Sequence, residues 1–183
     1  MEALQDLASA VGSRFHLIAG DALAIDLDSL CVQPFQIVAN LPYNIGTRLV
    51  LDFLHMLHKP KKMTLMLQKE VVQRMIASPG GQHYGRLSII VQWLARAKVL
   101  FDVPARAFKP EPKVTSSVIE IIPRSWPLAE AEPELLELVT QTAFGQRRKM
   151  MRVSLKTLHP DIVGLLQRVG AVSYTHLTLP TKA

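Results

Sequence analysis

Short apolar runs alternate with segments of helical periodicity over the first two thirds of the chain. Each apolar run is bounded by turn residues or charges, which predicts a buried strand. The predicted strands are residues 15–19, 35–39, 63–67, 97–101 and 117–122. Helical periodicity predicts helices at residues 70–77 and 87–94, and another after Thr47, which is a candidate N-cap. This alternation favours an α/β sheet covered by helices.

The chain beyond Trp126 has a different pattern, because only helical periodicity is found there. The predicted helices are residues 134–144, 147–157 and 161–169. We therefore expect an α/β domain at residues 1–125 and a small helical domain at residues 126–172. Residues 173–183 have no helical period and follow a helix that Gly170 ends. We interpret this tail as a non-native addition and exclude it from the fold.

Composition narrows the class of protein. Of the 183 residues, 49% are hydrophobic and 20% are charged, which is typical of a globular protein and excludes a disordered one. No apolar run approaches the roughly 18 to 20 residues that span a bilayer. Glu2 and Asp6 stand where a signal peptide would carry positive charge. The single cysteine, Cys31, excludes an internal disulfide and suits a reducing compartment, so we expect a cytoplasmic protein.

The net charge of +6 favours an anionic partner, and nucleic acid is the first candidate because phosphate contacts release counterions. A solvated basic surface without a specific partner is the alternative. The predicted helix at residues 147–157 bears on the choice between nucleic acid and solvent, since its basic and apolar side chains fall on different sides. The basic side carries Arg148, Lys149, Arg152 and Lys156, and the other side carries Met150, Met151, Leu155 and Leu158. Such a helix packs through its apolar side and presents a basic stripe to RNA or simply to solvent.

The most informative segment is Asn40-Leu41-Pro42-Tyr43, which directly follows the predicted strand at residues 35–39. Ligands of open α/β sheets gather at the carboxyl ends of strands. Methylation of an exocyclic adenine amine is one reaction whose requirements can be compared with this motif. The amine is a poor nucleophile, because its lone pair is delocalised into the ring. Two acceptors that engage both of its N–H groups aim this lone pair at a methyl donor.

The motif supplies these groups in order. The Asn40 side-chain oxygen and the carbonyl of Leu41 are the candidate acceptors, Pro42 stiffens the turn, and Tyr43 offers a flat face for the base. A strong general base is not needed, because the amine loses its proton readily once it becomes cationic. An ordinary strand-to-helix turn, in which Asn and Pro are common, is the alternative.

The motif and its surroundings resemble the small-subunit rRNA adenine dimethyltransferase family of the KsgA/Dim1 type. The matching segments, in the family's order, are Gly20 to Ala22, Asn40 to Ile45, Met66 to Val72, Tyr84 to Ser88, Phe108 to Val114, Ser116 to Val118 and Ala143 to Lys149. The resemblance implies a Rossmann-like methyltransferase fold that uses S-adenosylmethionine, with a helical C-terminal RNA-binding domain. The implied reaction is methyl transfer to N6 of two adjacent adenines near the 3′ end of 16S rRNA, in ribosome biogenesis. The implied enzyme is a monomer that binds the small ribosomal subunit.

The resemblance also implies roles for single residues. Asp21 accepts hydrogen bonds from the adenine of S-adenosylmethionine, Ala22 packs beside it, and Asn40 lies between this co-substrate and the target amine. Phe108 closes over the target base from the face opposite Tyr43. The candidate RNA-binding residues are Lys113, Arg147, Arg148, Lys149, Arg152 and Lys156. From the residues alone, a turn residue is the better interpretation of Asp21, and the alternative for Phe108 is a loop aromatic that fills a domain seam.

The chain departs from the family at the methyl-donor site. The family's glycine-rich turn and the acidic residue after its second strand have no counterpart here, and Gly80-Gly81 follows a predicted helix instead. We expect an incomplete sheet with an exposed edge, and therefore a chain that is unstable or aggregates. An inactive RNA-binding fragment is one alternative function. The large-subunit rRNA methyltransferase of the macrolide-resistance type is another, although residues 108–114 and 144–149 favour the small-subunit type.

No metal site is expected from the sequence. His55 and His58 lie one helical turn apart on a predicted helix, where two imidazoles can share an ion. They have no apparent third ligand, so a surface or packing role is the better interpretation.

Overall fold

A computed structural model describes residues 2–30 and 34–174 of the chain. The chain divides into two compact units, Met1–Cys31 and Val32–Ala183. Cys31 and residues 175–183 of the tail lie outside the described residues, so the expectations for them stay predictions.

The first unit consists of helix α1 (Glu2–Val11), a 3-10 turn (Gly12–Arg14) and the short helix α2 (Leu27–Leu30). None of its described side chains, from residue 4 to residue 30, is buried. The predicted strand at residues 15–19 is wrong, because these residues pair with no strand in the described part of the chain. An apolar run becomes a strand only where a neighbour satisfies its backbone N–H and C=O groups.

The second unit is built on one mixed sheet. Its strands are β1 (Gln36–Asn40), β2 (Lys62–Gln68), β3 (Ala95–Val103) and β4 (Ser116–Pro123), in the order β1-β2-β4-β3. Strands β1 and β2 run parallel, whereas β4 is antiparallel to both of its neighbours. These four strands confirm the predictions made for residues 35–39, 63–67, 97–101 and 117–122. The central position of β2 buries Met63, Leu65 and Leu67.

Three helices supply most of the remaining core. They are α3 (Gly46–His55), α4 (Lys69–Ile76) and α5 (Arg86–Leu94), and each was predicted. Thr47 is not the N-cap of α3, because Ile45 occupies that position and no side chain caps the helix. The amides of Ile45 and Gly46 instead donate to the carbonyl of Pro42, at 3.2 and 2.9 Å. The turn at Pro42 therefore starts the helix.

The C-terminal segment contains α6 (Pro133–Gly145), α7 (Met151–Ser154) and α8 (Ile162–Arg168). Helices α6 and α8 confirm the predictions for residues 134–144 and 161–169. The Asp161 side chain caps α8 by accepting a hydrogen bond of 3.0 Å from the Gly164 amide. The three helices share a small core of their own, formed by Ala143, Leu155, Ile162 and Leu166.

The continuous helix predicted for residues 147–157 is wrong. Only Met151–Ser154 is helical, a turn joins the Lys149 amide to the Gln146 carbonyl at 2.8 Å, and Met150 has extended backbone (φ −61°, ψ 147°). The break allows the chain to turn back, so that Leu155 is buried beside Ala143. Tertiary packing thus overrides a periodicity that was genuine but local.

Candidate active site

A concave site lies where β1 ends. It has a volume of about 290 Å³ and is lined by Asn40, Leu41, Pro42, Tyr43, Phe108, Pro110 and Pro112. The structure therefore brings together all five residues that the sequence singled out for catalysis, including Phe108 from a loop that is distant in the chain. The volume is at the small end for ligand pockets, which suits a single planar base.

The sheet holds in place the part of the cavity wall that follows β1. Asn40 is the last residue of β1 and is paired with Met66, and the next amide, that of Leu41, donates to the Met66 carbonyl at 3.2 Å. Leu41 is buried, whereas Asn40 is exposed. Gly46 lies so close to the sheet that a Cβ there would be 2.5 Å from Leu67 Cδ2. A buried anchor on each side thus holds residues 42–45 in place.

Tyr43 is tied to the sheet by its hydroxyl. Tyr43 is 38% exposed as a residue, and its hydroxyl oxygen lies 2.8 Å from the Oγ of Ser116, which is fully buried at the start of β4. The two hydroxyls share one hydrogen bond. Sequence reasoning missed Ser116 as a site residue. The available signal was a serine pair, Ser116-Ser117, that opens an otherwise apolar strand, because buried hydroxyls require partners.

Phe108 reaches the site from the loop between β3 and β4. A 3-10 turn (Ala105–Ala107) precedes it, and its amide donates to the Ala105 carbonyl at 3.1 Å. The side chain is half-buried and lines the same cavity as Tyr43. Lys113, further along this loop, is exposed.

A second polar network joins the neighbouring ends of β2, β3 and β4. Lys69 Nζ donates to Asp102 at 2.6 Å, and the Ser117 hydroxyl donates to the other oxygen of the same carboxylate, also at 2.6 Å. The hydrogen bond from Lys69, followed by the one from Ser117, holds the pKa of Asp102 below its ordinary value. In the same way the hydrogen bond from Lys98 lowers the pKa of Glu120 on β4.

Asp21 and Ala22, the predicted co-substrate residues, lie in the first compact unit. The Asp21 carboxylate accepts the Leu23 amide at 2.9 Å, and its carbonyl accepts the Ala24 amide at 2.9 Å. This is the geometry of an Asx-turn, which is the alternative that the sequence left open. Ala22 is exposed.

Arg147 is held within the protein, unlike the other predicted RNA-binding residues. Its guanidinium donates to the carbonyls of Gln82 and Tyr84, at 3.3 and 2.8 Å, and lies 5.9 Å from the centre of the Phe144 ring. Arg148 and Lys149 are exposed beside it and line a cavity of about 420 Å³ at the end of α6. Arg152 and Lys156 are also exposed, but they follow a break in the helix and do not continue one stripe.

The described residues contain neither a cluster of metal-ligating side chains nor a membrane-spanning helix. Between residues 2 and 174, leaving out residues 31–33, no group of three His, Cys, Asp or Glu side chains could hold a metal ion. His55 directs Nδ1 towards the Leu51 carbonyl on its own helix, at 2.9 Å. Over the same ranges, no helix is long and apolar enough to cross a membrane.

Comparison with known proteins places these features in a family. Residues 1–172 match the sequence model of a family described as ribosomal RNA adenine dimethylase. The ribosomal RNA small subunit methyltransferase A of Paramagnetospirillum magneticum is 50% identical over 165 residues, which are 90% of this chain and 58% of that protein. Its counterpart in Rhodospirillum rubrum is 50% identical over 167 residues, with 91% and 58% covered. The chain thus spans 58% of the length of these two relatives.

Solved structures show the same fold. A dimethyladenosine transferase from Plasmodium falciparum has a TM-score of 0.68 at 23% identity, over 92% of this chain and 62% of that one. The 23S rRNA methyltransferase ErmE has a TM-score of 0.69 at 21% identity, over 96% of this chain and 72% of that one. They confirm the predicted fold class, a Rossmann-like methyltransferase sheet with a helical C-terminal portion. At these identities they support the fold alone.

Proposed function

The chain belongs to the ribosomal RNA adenine dimethylase family, and we propose that it carries the target-base half of a small-subunit rRNA adenine-N6 dimethyltransferase. The proposed reaction transfers methyl groups from S-adenosylmethionine to N6 of two adjacent adenines near the 3′ end of 16S rRNA. The single observation that carries this proposal is the shared cavity of Asn40, Leu41, Pro42, Tyr43 and Phe108.

The target amine is oriented by acceptors at the end of β1. The carbonyl of Pro42 already accepts two amides of the turn, so Leu41 supplies the backbone acceptor that the chemistry needs. The side-chain oxygen of Asn40 accepts the second N–H of the amine. With both N–H groups engaged, the nitrogen becomes more tetrahedral, so its lone pair is less delocalised into the ring and points at the methyl donor. The proton leaves after methylation, because the alkylated amine is cationic and strongly acidic.

Tyr43 and Phe108 hold the base itself. Both rings line the cavity, and a flipped adenine stacked between them leaves its amine at Asn40. Stacking on aromatic rings contributes about 1–3 kcal/mol per base. Three prolines in or next to the cavity wall, at positions 42, 110 and 112, limit its freedom to collapse when no base is bound.

S-adenosylmethionine, when bound, supplies the methyl group from its sulfonium, and the neutral thioether S-adenosylhomocysteine is the leaving group. Among the described residues, Asp21, Ala22 and Asn40 are the ones that we propose bind it. One Asp21 oxygen is used by the Asx-turn, and its other oxygen is the acceptor we assign to the adenine of the donor. These residues account for a part of a donor site only, which is why the proposal concerns the target-base half.

We assign RNA binding to basic residues that are exposed. Arg148 and Lys149 stand at the end of α6, Arg152 and Lys156 follow, and Lys113 lies on the loop that carries Phe108. With a net charge of +6 these cations suit the phosphates of rRNA in the small ribosomal subunit. We propose that residues 126–172 form the RNA-binding part of a monomeric enzyme that works in the cytoplasm.

Labelled methyl transfer tests this function. The chain is joined to a family member's segment that carries the glycine-rich turn, which completes the donor site. It is then incubated with S-adenosylmethionine that carries a labelled methyl group and with a mixture of unmethylated small and large ribosomal subunits. We expect label as N6,N6-dimethyladenosine in the small-subunit RNA alone. Asn40→Ala should abolish the label, and Asn44→Ala, an exposed neighbour that does not line the cavity, should retain it.

The other outcomes distinguish the alternatives. Label in large-subunit RNA would identify the macrolide-resistance type. Binding of small subunits without any label would identify an RNA-binding fragment without catalysis.

A further inference from the structure

We propose that Ser116 is a positioning residue of the target-base pocket, and that it acts on the base through the hydroxyl of Tyr43. This inference rests on the proposed function, because the orientation of Tyr43 matters only if a base stacks on its ring. It adds to that function a residue that contacts neither base nor donor.

The geometry joins a fixed point to an exposed ring. Ser116 is fully buried and is paired on both sides, with Gln68 of β2 and with Val103 of β3. Tyr43 is 73 residues away in sequence, lies in the turn after β1, and is 38% exposed. The hydrogen bond of 2.8 Å between their oxygens therefore fixes a surface ring to a buried residue of the central sheet.

An aromatic ring on a surface turn is otherwise poorly fixed. The outer torsion of a tyrosine side chain has a broad, twofold profile, so packing or a hydrogen bond must choose its tilt. A base that stacks on a freely tilting ring has to order the ring first, and this ordering weakens binding. The Ser116 bond does that ordering in the free protein. The same bond satisfies a buried hydroxyl that would be costly to leave alone.

The neighbouring serine provides a matched comparison. Ser117 is also buried, with 1% of its surface exposed, and it lies on the same strand. Its hydroxyl donates to Asp102 and does not contact Tyr43. A general effect of removing a buried hydroxyl from β4 will therefore appear in Ser117→Ala as well, whereas an effect on the base pocket will appear in Ser116→Ala alone.

Base stacking is measured with a single-stranded RNA that contains 2-aminopurine, whose fluorescence is quenched when it stacks. This base lacks the N6 amine, so its binding reports Tyr43 and Phe108 without the contribution of Asn40. We expect Ser116→Ala and Tyr43→Phe each to weaken binding by about threefold to tenfold, which is the usual effect of one hydrogen bond. Ser117→Ala should bind within about twofold of the wild type.

A double variant tests whether the two residues act through one bond. If Ser116 acts only through the Tyr43 hydroxyl, Ser116→Ala combined with Tyr43→Phe should bind no worse than either single variant. Ser116→Thr, which keeps a hydroxyl, should recover binding. Tyr43→Phe changes an exposed side chain and keeps the fold, so the comparison survives even if Ser116→Ala is poorly stable.

Ring mobility gives a readout that needs no base. In protein with isotope-labelled tyrosine rings, the order parameter of Tyr43 should fall in Ser116→Ala, while that of Tyr84 stays unchanged. An unchanged Tyr43 ring, equal base binding by Ser116→Ala and wild type, or additive effects in the double variant would each overturn the role of Ser116. A wild-type protein that never quenches the probe would contradict the base pocket itself, and the inference would fall with it.

Discussion

Arg147 donates a hydrogen bond of 2.8 Å to the backbone carbonyl of Tyr84, which lies 63 residues earlier in the chain. The ring of Tyr84 in turn meets the ring of Phe144 edge to face, with 6.0 Å between the ring centres. These contacts fasten the loop before α5 to the end of α6. Arg147 thus serves the fold, whereas Arg148 beside it is exposed.

Arg147→Ala should lower the free energy of unfolding by about 1–3 kcal/mol, because two carbonyls lose a charged donor. Arg148→Ala is the matched control and should change it by no more than about 0.5 kcal/mol. Arg147→Lys should not restore the loss, since an ammonium cannot reproduce the planar fork of donors. Urea denaturation followed by circular dichroism measures all three. Coincident midpoints for Arg147→Ala and Arg148→Ala would contradict this division of roles.

Arg148→Glu should weaken binding to small ribosomal subunits and reduce its dependence on salt. Each lost phosphate contact makes the slope of log K against log salt concentration shallower by about 0.7 to 0.9. Arg48→Glu makes the same change of charge at an exposed position on α3, where Arg48 is paired with Asp52. Filter binding at several salt concentrations compares the two variants. Equal slopes would remove the end of α6 from the RNA-binding surface.

Asp102 should make stability depend on pH in the acid range. Its pKa is below the ordinary 3.8 in the folded state, so the carboxylate contributes stability above that value, and the contribution is lost as pH falls through the lowered pKa. Asp102→Asn keeps an acceptor for Ser117 but removes the charge that Lys69 contacts. The wild type should therefore be the more stable protein at pH 7, and the difference should shrink as the pH falls below 3.8. A difference that is constant with pH would exclude this pair as its source.

The edge of β1 should make the chain associate. Within the described residues β1 has β2 as its only neighbour, and Val38 in its middle is 79% exposed. Unpaired backbone groups beside an exposed apolar side chain template pairing with another chain. Light scattering across a concentration series should show association that Val38→Lys suppresses. Val153→Lys, which places the same charge on a helix at an exposed valine, should leave the association as it is.

The sequence predicted strands correctly where an apolar run also has neighbouring strands with which to pair. The runs at 63–67 and 117–122 become central strands because each has a neighbour on both sides. The run at 15–19 has the same apolar character but no partner strand in the described residues, and periodicity alone contains no information about partners.

The candidate site was predictable to a different degree. Residues 40–43 lie at the end of a predicted strand, and the resemblance to a known family added Phe108, so the lining of the cavity could be anticipated. The link from Tyr43 to Ser116 could not, since it joins residues 73 positions apart through hydroxyls whose rotamers only packing decides. The helical stripe at residues 147–157 failed for a related reason. The burial of Leu155 and the bonds of Arg147 to residues 82 and 84 outweigh the local preference for one helix.

Ser116 and Ser117 are adjacent, yet their side chains leave β4 on opposite faces of the sheet, because side chains alternate along a strand. One joins Tyr43, and the other joins Asp102. An insertion or deletion in residues 104–115 would displace Phe108, which lines the cavity, but would leave the pairing of β4 in place. A shift of β4 by a single residue would do more, because it would exchange the two hydroxyls and turn Ile119 and Ile121 away from the core. The serine pair thus makes the register of this strand a condition for the site, in addition to the length of the loop.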